Sequence, residues 1–313
     1  SFAARLAWLC LAGAALGAAY AVLEVAVLGH ERAEGFFSNP NVMSRVAVVL
    51  GFAALGGVWL VEARRGLAFY LGPALSAVVV VLSGSRGAAL ALPPLALLAL
   101  ICFALDARTR RQLPALLAIV VGIALVALVV DPGGRIAAMP GAIADAIFGG
   151  TADDEAIAQR MTMYDAAVEA FRLSPWIGQG WGNLGNAAAA VDPENLGWAA
   201  DYYFMYHNDV LNFAVAGGIV GIGCLLVLLA APLTGLLHAP HDGVRLPRAY
   251  LCLMLTVGYA VLGLTDMTFG YDIETTLYAF LLAVVLGGFR EEPAAAAVTP
   301  AERSAGARPA ARP

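Results

Sequence analysis

Eight stretches of this chain hold between 17 and 24 residues with almost no charge among them: 6–29, 42–61, 67–83, 87–105, 113–130, 208–231, 249–266 and 273–289. A helix rising 1.5 Å per residue needs about 20 apolar residues to cross a hydrocarbon layer about 30 Å thick. Inside that layer every backbone N–H and C=O must find its partner within the protein, which leaves helices or closed barrels. These runs are continuous rather than alternating, so they select helices. The expected fold is all-α: a polytopic helical membrane protein with about eight transmembrane spans. Composition agrees, with 61% hydrophobic and 13% charged residues, where a soluble domain carries about 25% charged. Five spans are expected in 1–130 and three in 208–290. Between them, 131–207 reads as one large polar loop, and 291–313, rich in Ala, Pro and Arg, as a disordered cytoplasmic tail.

Arginine in short connections marks the cytoplasmic side. Arg5, Arg64, Arg65, Arg108, Arg110, Arg111, Arg245, Arg248 and Arg290 fall on one side, and Arg32, Arg45 and Arg86 on the other. The first side is therefore expected in the cytoplasm and the 131–207 loop outside it. The chain begins at Ser1 and enters an apolar run almost at once, so further N-terminal spans are expected ahead of it. Cys10, Cys102, Cys224 and Cys252 all sit inside apolar runs without metal-ligand spacing, which suggests neither a disulfide framework nor a zinc site. Gly13–Gly17 and Gly217–Gly221 have the small-xxx-small spacing of helix-packing surfaces.

Within the loop, Asp153-Asp154-Glu155 reads as a helix start, with acids against the N-terminal dipole. Ile157, Met161, Tyr164, Val168 and Phe171 then recur at helical spacing until Ser174-Pro175 stops the helix. That stripe fits an amphipathic helix lying either on the membrane face or on the bundle. Arg160 borders it, and its helical neighbours three and four residues away are Ala156, Ile157, Met163 and Tyr164, none of them acidic. Such an arginine either snorkels to lipid headgroups or meets another anion. Arg172, by contrast, has Glu169 three residues before it.

Arg86 lies in Ser83-Gly84-Ser85-Arg86-Gly87, between two apolar runs at the outer side. It is either an interfacial residue in a plain turn or one that faces a cavity or partner, as intramembrane arginines do. His207 is the histidine beside the large loop, and a neutral imidazole can accept a proton as a general base must. Asp209 is too near it along a helix to face it well, so an orienting partner must come from elsewhere. Two arginines and a histidine on one aqueous face suit a phosphate held by guanidinium forks beside a base for a hydroxyl. With no carboxylate cluster for a metal in the loops, arginine could do the neutralising that a metal does elsewhere.

The ordered set resembles the O-antigen ligase superfamily, which includes the related O-antigen and exopolysaccharide polymerases. The residues that carry the likeness are Phe37-Ser38-Asn39-Pro40-Asn41, Ser83-Gly84-Ser85-Arg86-Gly87-Ala88, Gln159-Arg160, Pro175-Trp176-Ile177-Gly178-Gln179-Gly180-Trp181-Gly182, and His207-Asn208-Asp209 followed by Gly217-Gly218. The resemblance implies an inverting, metal-independent glycosyltransferase without cofactor, working at the periplasmic face of the bacterial inner membrane. It would move a glycan from undecaprenyl diphosphate to a hydroxyl acceptor, lipid A–core in a ligase or another lipid-linked glycan in a polymerase. By that likeness Arg86 and Arg160 bind the diphosphate and His207 activates the acceptor. Asn39, Asn41, Trp176 and Asp266 are their possible neighbours. Membrane lipid is the expected surrounding and nucleic acid is not an expected partner. A transporter or flippase is the rival class, disfavoured because ionisable residues inside the spans are scarce, Glu24 being the clear case and Asp266 and Asp272 lying near an end.

Overall fold

A computed structural model describes residues 2–130, 155–237 and 243–287, with Gly134 and Gly141 as single positions. The tail expected after residue 290, most of 131–154 and the Asp153-Asp154 helix start lie outside these residues. Among the described residues there are helices and no strands. The long ones are α1 (Phe2–Val22, extended by a π turn, Leu23–Val27), α2 (Pro40–Leu55), α3 (Leu71–Ser83), α4 (Arg86–Leu105), α5 (Leu113–Val130), α6 (Glu155–Leu173), α7 (Leu184–Val191), α8 (Asp209–Leu237), α9 (Arg245–Thr265) and α10 (Asp272–Gly287).

Six helical segments among the described residues are long and apolar enough to cross a membrane: Phe2–Val27, Pro40–Trp59, Ala63–Ser83, Arg86–Leu105, Asp209–Leu237 and Arg245–Thr265. The other two apolar runs are helical as well, as α5 and α10. At 16 residues, α10 is about 24 Å long by helical rise, short of a bilayer core. Part of α5's side chains lie outside the described set. Six of the eight expected spans are thus long and apolar enough among the described residues, and the protein is a multi-pass helical membrane protein.

α2 is the central helix, packed on α1, α3, α4 and α9. It buries Val48, Val49, Phe52, Ala53, Ala54 and Leu55. Gly13 of the Gly13–Gly17 pattern faces Leu50 of α2, with 3.0 Å to an added Cβ, so that pair does serve helix packing. Residues such as Leu9, Leu16, Ile219 and Val227 stay exposed on the outside of the bundle, as helices bathed in hydrocarbon require. The two ends of the bundle differ. At one end Trp59 Nε1 donates to Asp106 Oδ2 (3.1 Å) and Arg108 Nη2 donates to the Val61 carbonyl (2.9 Å), close to Arg64, Arg65, Arg110 and Arg111. At the other end come the start of α2, the α3–α4 turn, the start of α8 and the α9–α10 turn.

α6 docks on that second end, though not by the expected stripe. Its buried residues are Met163, Ala166, Ala167 and Ala170, set against Leu184, Ala187, Val215 and Ala216. Met161 and Val168 are exposed. The small alanines let α6 approach α7 and α8 closely; Tyr164 of the stripe packs partly against the same cluster, while Met161 and Val168 face outward.

The Gly217-Gly218 pair also departs from expectation. Gly218 has φ 60° and ψ −146°, a break inside α8. Ile219 N donates to the Pro175 carbonyl (2.8 Å), Gln179 N to Val215 O (2.7 Å) and Gly180 N to Ala216 O (2.9 Å). A Cβ on Gly218 would meet the Trp176 carbonyl carbon at 2.5 Å, and one on Gly178 would meet the Ala216 carbonyl at 2.4 Å. These glycines join the Pro175–Gly180 loop, backbone to backbone, to a broken helix rather than packing two helices together.

Candidate active site

Four consecutive residues, Tyr206-His207-Asn208-Asp209, are pinned one by one where the loop enters α8. Tyr206 N donates to Asn212 Oδ1 (2.9 Å). The His207 carbonyl accepts from the Tyr164 hydroxyl of α6 (3.2 Å). Asn208 Nδ2 donates to the Leu264 carbonyl near the end of α9 (3.0 Å). The Asp209 carboxylate accepts Thr268 N (3.0 Å) and Phe269 N (3.4 Å), and the Thr268 hydroxyl donates to it too. Held this way, His207 takes φ +51°, one of two non-glycine residues at positive φ among the described residues. That left-handed conformation is uncommon for a non-glycine residue, and it persists where the surroundings over-determine it.

The imidazole meets Asp266, 59 residues further on, with Nδ1 to Oδ1 at 2.8 Å. Asp266 sits just past the end of α9 and is 3% exposed, while the His207 side chain is 32% exposed. Oδ1 also accepts Met267 N (2.9 Å), and Oδ2 lies 3.0 Å from Arg45 Nη1. Burial works to raise the Asp266 pKa, but the His207 hydrogen bond, the Arg45 charge and the Met267 amide outweigh it and hold it at about 2. An ionised carboxylate only accepts, so Nδ1 must carry a proton and Nε2 of a neutral ring holds the lone pair. The orienting partner that His207 required is thus Asp266. Asp209 is turned to the Thr268-Phe269 backbone, which makes it a poor candidate for base.

Arg45 was expected at the aqueous edge; instead it is 1% exposed inside α2. Its Nε lies 2.7 Å from Glu274 Oε1 of α10, and its Cζ stands 5.4 Å from the centre of the Tyr271 ring. The Arg45 contacts are charge pairs by distance whose angles do not make hydrogen bonds. Sequence reasoning missed this residue. The signal was there: Arg45 lies inside an expected span, where an ionisable group implies a partner.

Of the sequence-predicted residues, several converge here. Arg86 is the first residue of α4. An added Cβ on the next residue, Gly87, would meet Thr265 Oγ1 at 2.6 Å, so the start of α4 abuts the end of α9 next to Asp266. Asn41 Oδ1 accepts from the Ser85 hydroxyl (3.1 Å), tying α2 to the residue before Arg86. Arg160 lies one turn before Tyr164 on α6 and has no ion-pair partner among the described residues, whereas Arg172 pairs with Glu169. The Tyr164 hydroxyl pKa is raised by burial and opposed by the Arg160 charge, which puts that charge near the His207 carbonyl. Two further expected residues are placed as follows. Asn39 is the N-cap of α2, its Oδ1 accepting Asn41 N (2.9 Å) and Val42 N (3.2 Å). Trp176 is 71% exposed beyond the far end of α6, about 20 Å from Arg160 by helical rise. Among the described residues no three His, Cys, Asp or Glu side chains gather as metal ligands.

The arrangement thus sets a carboxylate-backed imidazole at the end of a membrane bundle where α4 begins at Arg86 and where α6, which carries Arg160, docks through Tyr164. Residues 71–226 match the family model described as O-antigen ligase. That segment, just under half of the chain, is similar to the O-antigen ligase superfamily, and the likeness supports a general function of the O-antigen ligase or polymerase type. Arg86, Arg160 and His207 fall inside the matched segment; Asn39, Asn41, Arg45, Asp266 and Glu274 fall outside it. No curated protein matches the chain.

Proposed function

We propose that this protein transfers a glycan from undecaprenyl diphosphate to a hydroxyl of lipid A–core, at the periplasmic face of the inner membrane. The observation that carries the reading is the His207–Asp266 contact of 2.8 Å. It fixes the tautomer that leaves Nε2 as acceptor. In the reaction, Nε2 takes the proton of the acceptor hydroxyl as that oxygen bonds to the anomeric carbon of the donor. The bond from that carbon to the diphosphate oxygen breaks with inversion, and undecaprenyl diphosphate leaves carrying the electron pair. Asp266 stabilises the imidazolium that forms, as the carboxylate of a catalytic triad does. Arg86 and Arg160 hold the diphosphate by charge-assisted bonds, strongest on the leaving group as its charge grows. Asn41 would steady the Ser85–Arg86 turn.

The test is transfer by the purified protein in vesicles holding undecaprenyl-diphosphate glycan and lipid A–core, with excess chelator. Glycosylated lipid A–core should form. Longer lipid-linked glycan with lipid A–core untouched would assign a polymerase instead. Loss of transfer that magnesium or manganese restores would refute the role given to the arginines.

A further inference from the structure

Beyond the residues that face substrate, the bundle buries a chain of charges from three separate elements. Asp266 divides its oxygens, Oδ1 toward His207 and Oδ2 toward Arg45. Arg45 in turn divides its guanidinium, Nη1 toward Asp266 and Nε toward Glu274. A buried ion pair is a poor device for stability alone, because a well-packed apolar replacement is often as stable. In low dielectric, however, each charge acts strongly on its neighbours. Arg45 alone would neutralise Asp266 and weaken its hold on an imidazolium. Burial raises the Glu274 pKa to about 8 and the Arg45 charge 2.7 Å away opposes it; in its ionised form Glu274 draws part of that cation away.

We propose that Arg45 and Glu274 are positioning residues for the His207–Asp266 pair: they fix the Asp266 carboxylate between α2, α9 and α10 and set, with opposite signs, how firmly His207 holds the proton it accepts. This rests on the reading of His207 as the base. The other charged or titratable groups around this chain of charges are Tyr164 of α6 near Asp266, with Arg160 beside Tyr164; Tyr271 near Asp266, Arg45 and Glu274; Asp209 of α8 and Tyr259 of α9 near Arg45 and Glu274; and Arg86 at the start of α4, which abuts the end of α9. Each is unchanged in the variants below, so a difference between variants reports Arg45 or Glu274.

The experiment measures the single-turnover transfer rate against pH, with donor affinity measured separately, for the wild type, Glu274→Gln, Arg45→Met, Arg45→Lys and His207→Ala. Glu274→Gln removes a negative charge and should move the acid limb to lower pH, by roughly half a unit to one unit. Arg45→Met removes a positive charge and should move it to higher pH by a similar amount. Arg45→Lys keeps the charge but loses the fork, so the limb should stay and the rate should fall. Donor affinity should hold within about twofold for the Glu274 and Arg45 variants. If Arg45→Met does not fold, Glu274→Gln and Arg45→Lys still decide. An unmoved limb in Glu274→Gln, with His207→Ala inactive, overturns the proposal and leaves the charges structural. A His207→Ala protein that keeps its chemical rate overturns the parent reading instead.

Discussion

Asp266→Asn is the substitution that separates orientation from scaffolding at this site. The side chain keeps its size at a position 3% exposed, so packing is preserved. Its chemistry is not. The amide can turn its Nδ2 toward His207, and the ring must then accept at Nδ1 and carry its proton on Nε2. That is the wrong tautomer for a base, and in a serine protease triad the same kind of change costs about 10⁴-fold. General base catalysis is worth about 10²–10⁴-fold, so the single-turnover rate should fall by that range while donor affinity stays within a few-fold. The stability cost follows from linkage. The Asp266 pKa is lowered from 3.8 to about 2; a depressed carboxyl contributes stability above its unfolded pKa and loses it as pH falls through the folded value. At about 1.4 kcal/mol per unit, the variant should lose roughly 2 kcal/mol at neutral pH and almost nothing below about pH 2. The Glu274 pairing keeps Arg45 from being left bare, so the protein should still fold. Quenched-flow transfer, donor binding and thermal melting in detergent are the assays. A chemical rate within about threefold of wild type would refute the orienting role of Asp266.

Three further outcomes follow from the geometry. Gly218→Ala should lower the melting temperature markedly, since its Cβ would meet loop backbone at 2.5 Å in a left-handed conformation, while Gly217→Ala, with nothing within 4 Å, should be near neutral to that contact; equal melting of the two would contradict the docking of the Pro175–Gly180 loop. Asn39→Ala should cost about 1 kcal/mol of stability by loss of a helix cap and leave donor affinity unchanged, and a selective loss of affinity would restore Asn39 as a ligand. Arg86→Ala and Arg160→Ala should weaken donor binding as well as turnover, with lysine rescuing only partly because an ammonium lacks the planar fork; unchanged donor affinity in both would remove the arginines from the diphosphate.

The spans were legible because continuous apolar runs have one structural outcome in hydrocarbon, and their observed ends fall within a few residues of the expected ones. His207, Arg86 and Arg160 were legible as polar exceptions at the edges of such runs. What failed shares a cause. The stripe of Ile157, Met161 and Val168 gave the helical spacing but not the buried face, and α6 buries Met163 and three alanines instead. The Gly217–Gly221 spacing is the same whether glycines pack a helix or break it; only the Pro175 carbonyl, distant in sequence, decides. Arg45 and Glu274 pair across most of the chain, and no local pattern encodes such a meeting. Their shared burial emerges only when α2, α9 and α10 close around Asp266.

The central claim is that His207 takes the acceptor's proton while the arginines hold the donor. The most direct measurement is donor affinity and single-turnover rate, taken separately, for His207→Ala in a folded protein. The account predicts affinity close to wild type and a rate lower by about 10²–10⁴-fold. Lost affinity with an intact chemical rate would contradict it, making His207 a ligand of the diphosphate and leaving the base to be found elsewhere.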